Sequence, residues 1–141
     1  MLFYHGGATK DFQVRDIDVY KRGSKQSKRE TDYVGFYMFG EENVEKAYHY
    51  AEQMNYQNNT SRYGVAQIEM PDSLNVFKFD NFASIDRISK EQMRTMISQG
   101  YDVAVGRSVD GLEYVLLNPN RIISLTVDKE KTHLKWCVFI L

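Results

Sequence analysis

Hydrophobic residues alternate with polar ones in short runs along most of the chain, and the spacing becomes helical in two places. Leu2–His5 predicts a first strand, which Gly6 and Gly7 are expected to break. Residues 8–34 show no sustained period. Val34–Phe39 predicts a second strand. Acidic and capping residues Glu41, Glu42 and Asn43 follow, and Val44, Ala47, Tyr48, Ala51 and Met54 then recur at helical spacing as far as about Asn55. Val65–Met70 alternates like a half-buried strand ended by Pro71, and Leu74–Phe79 is a further strand candidate. Ser84–Ser98 reads as a helix, with Ser89 and Gln92 able to form a capping pair for its second half and Gly100 ending it. Tyr101–Val105, Glu113–Leu117, Ile122–Val127 and His133–Leu141 predict the remaining strands, with a turn over Gly106–Gly111. The pattern implies one α+β domain over residues 1–141, with about eight strands and two or three helices.

Composition narrows the class. The 141 residues are enough for one core, and the 43% hydrophobic and 26% charged content is ordinary for a globular chain. Ten Tyr and eight Phe make the chain rich in aromatic residues, which suits either an aromatic β core or a stacking site. The formal net charge of -1 provides no overall field toward nucleic acid or membrane. A single cysteine, Cys137, excludes an intrachain disulfide and a multi-cysteine zinc site, and it suits a reducing cytoplasm. No signal-peptide pattern opens the sequence. The apolar run Trp136–Leu141 is too short to span a bilayer. One local imbalance stands out in residues 21–32, where Lys21, Arg22, Lys25, Lys28 and Arg29 face only Glu30 and Asp32. That stretch is either a solvated surface loop or a loop facing the substrate.

Most catalytic sets are missing. There is no Gly-x-Gly-x-x-Gly or Walker A run, so neither phosphate cradle is predicted. His5, His49 and His133 lack metal-ligand spacing, so no metal is expected. Cys137 sits in an apolar run that suits an inert buried thiol. What remains are three polar residues on or beside strand-like runs: His5 in Tyr4-His5-Gly6-Gly7, Tyr37 in Gly35-Phe36-Tyr37-Met38-Phe39, and Glu113 in Glu113-Tyr114-Val115-Leu116-Leu117.

In order and spacing, these words resemble the ADP-ribosyltransferase fold, and more narrowly its His-Tyr-Glu group, which contains diphtheria toxin and the poly-ADP-ribose polymerases. Ala47-Tyr48-His49-Tyr50-Ala51 is similar to the Ala-x-x-Tyr-Ala helix of bacterial and phage members. Gly100-Tyr101-Asp102 and Asn118-Pro119-Asn120-Arg121-Ile122 are similar to their closing segment. The resemblance covers nearly the whole chain and implies a split β-sheet core with NAD as co-substrate. It implies that His5 bonds the adenosine ribose, that the Gly6 backbone pairs with the nicotinamide amide, and that Tyr37 stacks on the nicotinamide ring. A second tyrosine would close the other face. The Ala-x-x-Tyr-Ala pattern points to Tyr50, counting from Tyr37 as in the polymerases points to Tyr48, and a two-residue longer connection favours Tyr50. Glu113 would be the catalytic carboxylate, gripping a ribose hydroxyl as positive charge develops.

The resemblance therefore implies a mono-ADP-ribosyltransferase acting on a macromolecular acceptor, protein or nucleic acid, in a bacterial or phage toxin, effector or defence protein. Such a protein works in a cytoplasm, its own or that of a host cell, and can be held by an antitoxin or inhibitor protein; no membrane partner is implied. Arginine-specific relatives carry Glu-x-Glu, and here Gly111 stands two before Glu113, so an arginine acceptor is disfavoured. RNA 2′-phosphotransferases share the fold but lack the glutamate. The rival readings are an NAD glycohydrolase with the same site, and a catalytically silent domain that binds a nucleotide or nucleic acid.

Overall fold

The computed structural model describes residues 1–22 and 33–128. The expected last strand, with His133 and Cys137, and the cations Lys25, Lys28 and Arg29 lie outside the described residues. Within them the chain is α+β, with seven strands in two sheets and two α-helices. One sheet has the order β1-β3-β7, made of Leu2–Ala8, Tyr63–Glu69 and Ser124–Asp128. The other has the order β2-β6-β5-β4, made of Tyr37–Met38, Gly111–Leu116, Val103–Ser108 and Val76–Lys78. All neighbours are antiparallel except β4 and β5. No helix among the described residues is long and apolar enough to cross a membrane.

Two sheets imply two sheltered faces and an interface, and the core divides accordingly. Phe3, Phe36, Met38, Ile68, Met70, Val103 and Leu116 form the buried cluster that draws on both sheets. Helix α2 (Lys90–Ser98) places Met93 and Met96 against Ile85, Ile88, Ala104 and Val115 of the larger sheet's cluster. Helix α1 (Val44–Asn58) lays Ala47 and Ala51 on Val65 of the smaller sheet. The small alanine stripe lets α1 lie close to β1, and it does so most tightly at Gly6. A Cβ at residue 6 would come 2.5 Å from the Ala47 carbonyl oxygen, so only glycine fits there.

Several sequence expectations change in the structure. Gly6 and Gly7 do not break β1, which runs on to Ala8 in register with Val65, Gly64 and Tyr63. The second strand shrinks from Val34–Phe39 to Tyr37–Met38, because Val34 and Tyr33 instead bridge Arg22 and Ser89. That same pairing interrupts the helix expected over Ser84–Ser98. Residues 87–89 leave helical geometry, a one-turn 3₁₀ helix remains at Ser84–Asp86, and α2 begins afresh at Lys90. Ser89 and Gln92 form the expected capping box. At the other end, Gly100 N bonds the Ile97 carbonyl and Tyr101 N the Met96 carbonyl, the paired bonds of a Schellman ending. α1 continues past Asn55 to Asn58, where Asn59 takes the left-handed cap. The turn expected over Gly106–Gly111 tightens to Val109-Asp110, which leaves Gly106 inside β5.

A candidate active site where the two sheets part

Among the described residues the sheets meet through one bridge, Tyr4 with Phe39, which exchange both backbone bonds at 2.8 Å. In an antiparallel ladder the next exchanging pair would be Gly6 with Tyr37. That pair does not form. The Tyr37 carbonyl instead accepts from the His5 ring, with Nδ1 at 2.6 Å. The histidine thus acts as a wedge that ends the ladder and splays β1 from β2. The alternation of the ladder also turns the Gly6 N–H and C=O away from β3, so the splay leaves that backbone edge open.

A cavity of about 710 Å³ fills the splay. His5, Gly6, Tyr37, Tyr50 and Glu113, which are far apart in sequence, all line it. Tyr48 does not. It faces the other side of α1, where its hydroxyl bonds Asp128 Oδ2 at 2.6 Å beside a separate cavity of about 530 Å³. Of the two candidate tyrosines, then, only Tyr50 shares a cavity with His5 and Glu113. Lys21 and Arg22, from the basic stretch, also line it.

Each polar group has a defined electrostatic setting. His5 stacks on Phe36 with ring centroids 3.9 Å apart. Burial, with a smaller push from the Lys21 cation, lowers its pKa to about 4, against the opposing effect of its bond to Tyr37. The ring is therefore neutral at pH 7. Because a carbonyl can only accept, Nδ1 carries the proton, and Nε2 is left as an acceptor. Gly7 keeps that nitrogen uncovered, since a Cβ there would sit 2.6 Å from it. The Tyr37 hydroxyl donates to the Ile85 carbonyl at 2.8 Å, and burial pushes the phenol's pKa well up, helped by Asp86 and Glu113. Tyr37 is thus held at its hydroxyl by Ile85 and at its backbone carbonyl by His5.

Glu113 is 5% exposed. Burial first, and then a hydrogen bond and charge from Asp86, push its pKa up to about 8; Asp110 adds to the rise and the Ser108 hydroxyl opposes it. Its Oε2 is closed off from solvent and has no hydrogen-bond donor among the described residues. Asp86, Asp110 and Arg87 line the same cavity and had no sequence signal. Asp86 is a single acid between the buried Ile85 and Ile88, and only the folded chain brings it to Glu113.

No protein-family model matches this chain, and no curated protein matches it. The site must therefore be read from its own geometry. Among the described residues no group of three or more His, Cys, Asp or Glu side chains could hold a metal ion. What the cavity offers is an open backbone edge, a neutral imidazole acceptor, four tyrosines, Tyr37 and Tyr50 among them, and a buried carboxyl whose pKa no cation among the described residues lowers. A ligand with an amide, a flat ring, a hydroxyl and a positive charge would satisfy all of them.

Proposed function

We propose that the protein is an NAD-dependent mono-ADP-ribosyltransferase of the ADP-ribosyltransferase fold. The observation that carries the reading is the splay between β1 and β2, which collects the Gly6 edge, His5 Nε2, Tyr37, Tyr50 and Glu113 around one cavity. Nicotinamide would place its carboxamide against the Gly6 N–H and C=O and its ring between Tyr37 and Tyr50. His5 Nε2 would accept from a hydroxyl of the adenosine ribose. Lys21, Arg22, Lys46 and Arg87 on the same walls suit the diphosphate. The cavity volume falls in the range of about 300–1,000 Å³ common for ligand sites.

Glu113 would accept a hydrogen bond from a hydroxyl of the nicotinamide ribose. The bond between C1′ and the pyridinium nitrogen breaks, and its electron pair returns to the ring, which leaves as neutral nicotinamide. Positive charge develops on the ribose, and an anionic Glu113 stabilises it most strongly at that point. The acceptor's lone pair then forms the new bond to C1′, and its proton passes to solvent. The acceptor is a macromolecule, protein or nucleic acid.

The test is incubation with NAD labelled in the adenylate half and a whole-cell lysate, followed by separate protease and nuclease digestion. Label retained on a macromolecule, with nicotinamide released, is the expected result. Label found only in free ADP-ribose would make the protein a glycohydrolase. Absence of both nicotinamide release and an NAD-dependent rise in Tm would overturn the reading.

A further inference from the structure

We propose that Ile85 is a positioning residue for Tyr37: its backbone carbonyl, set in place by a turn seated on Gly106, fixes the tyrosine in the cavity wall before a ligand arrives. That a nicotinamide ring then stacks on Tyr37 rests on the transferase reading. The seat of the turn and the bond it offers stand on the geometry alone.

Tyr37 belongs to the two-residue strand β2 and lines the cavity. A strand backbone allows a side chain more than one staggered rotamer. Two contacts select one here. The phenol tip donates to the Ile85 carbonyl at 2.8 Å. The ring edge runs over Gly35, where a Cβ would come 2.9 Å from Tyr37 Cε2. The carbonyl is free to accept because a short helix ends at it. Asp86 N bonds the Ala83 carbonyl and Arg87 N the Ser84 carbonyl, at 3.1 Å each, and Tyr37 takes the Ile85 carbonyl that follows.

The turn is held from several sides. Phe79 N bonds the Val105 carbonyl at 2.9 Å and Ala83 N the Arg107 carbonyl at 2.8 Å, so the chain is tied to β5 on both flanks of Gly106. Between those ties, a Cβ at residue 106 would come 2.9 Å from Ile85 Cβ and 3.3 Å from Phe79 Cβ. Glycine is therefore what lets the fully buried Ile85 settle on β5. Beyond the turn, Val34 N bonds the Ile88 carbonyl at 2.8 Å. Ala83, at φ 68, enters the turn in the left-handed region, which is costly for a residue with a Cβ. Such a conformation persists where its surroundings over-determine it, as these bonds do.

The consequence is preorganisation. A tyrosine already held at its tip does not have to be ordered by the incoming ring, so the anchor favours binding and has little part in the chemical step.

Nicotinamide release by Tyr37→Phe and Gly106→Ala, alone and combined, tests the assignment. Tyr37→Phe keeps the ring and removes the donor; Gly106→Ala keeps the donor and displaces the acceptor. Each should raise the KM for NAD by about three- to tenfold and leave kcat within about twofold, the effect of one side chain that the ligand must now order. Because both act through one bond, the double variant should have no larger KM than the single ones. An unchanged KM in Tyr37→Phe overturns the proposal whether or not Gly106→Ala folds. So do KM effects that add in full. A Gly106→Ala effect on kcat alone also overturns it, since the residue would then act through Glu113, its partner across the hairpin. Crystal structures of the wild type and Gly106→Ala need no ligand. The Tyr37 hydroxyl should lie on the Ile85 carbonyl in the first and off it in the second, and a bond kept in both overturns the proposal. Structures that differ as expected, in a protein that releases no nicotinamide, would leave the anchor intact and remove the transferase reading.

Discussion

Asp102 and Glu113 are acidic residues buried at opposite ends of the β5–β6 hairpin, 8% and 5% exposed, and they are treated in opposite ways. Asp102 is fully served. Its Oδ2 accepts from Asn75 N at 2.9 Å, its Oδ1 from Asn118 Nδ2 at 3.1 Å, and Arg121 Nε lies 3.8 Å from Oδ2. Its backbone carbonyl takes Leu117 N and Asn118 N. This cluster ties β4, β5 and the chain after β6 together. Glu113 instead has the acidic residues Asp86 and Asp110 acting on it, and one oxygen has no donor among the described residues. Burial is nearly equal, so burial alone does not mark function. The inventory of partners separates them: a satisfied carboxylate holds the fold, and an unsatisfied one is the candidate for a ligand site.

The widest gap between the two should appear on substitution. Glu113→Gln is expected to lower nicotinamide release by about 10²-fold or more while NAD still binds, because the lost charge matters most as positive charge develops. Turnover equal to wild type would remove Glu113 from its assigned role. Asp102→Ala should do the reverse. It leaves the Asn75 N–H and the Asn118 amide without their acceptor and should cost about 2 kcal/mol of stability, read as a drop in Tm. An unchanged Tm would erase the contrast between the two acids.

A pH series sharpens the same comparison. The folded pKa of Glu113 is raised to about 8, so between the unfolded value and 8 the native state binds more protons than the unfolded one. Its contribution to stability is therefore present at low pH and is lost as pH rises toward 8. Glu113→Gln should flatten that loss in Tm measured from pH 5 to 8. His5 has the opposite sign: its folded pKa is depressed to about 4, so its contribution to stability rises with pH from about 4 to 6.5. A wild-type Tm that climbs steadily through pH 8, with no difference in Glu113→Gln, would contradict the buried acid.

The smallest expected difference separates the two tyrosines of α1. Tyr50→Ala should weaken NAD binding by about tenfold, the scale of one lost aromatic contact. Tyr48→Phe should leave NAD affinity alone and lower Tm slightly by removing the bond to Asp128. Isothermal titration with NAD and thermal melts separate the two. Reversed effects would mean that the ligand occupies the cavity on the other side of α1.

Local signals in the sequence were enough for α1, for the Ser89–Gln92 capping box, for the glycine that ends α2 and for most strand cores. Each rests on neighbours within a few residues, where propensity, capping and side-chain period act. His5, Tyr37 and Glu113 also stood out, as polar residues on or beside strand-forming runs. The shortening of β2, the break at residues 87–89 and the passage of β1 through two glycines were decided elsewhere, by pairing with distant segments. So was the splay that opens the cavity, because it depends on His5 taking a carbonyl that a continuous ladder would have used. Nothing local distinguishes Asp102 from Glu113 or marks Asp86. A carboxyl's chemistry is set by the donors, charges and solvent around it, and those reach it only through tertiary contacts between residues far apart in the chain.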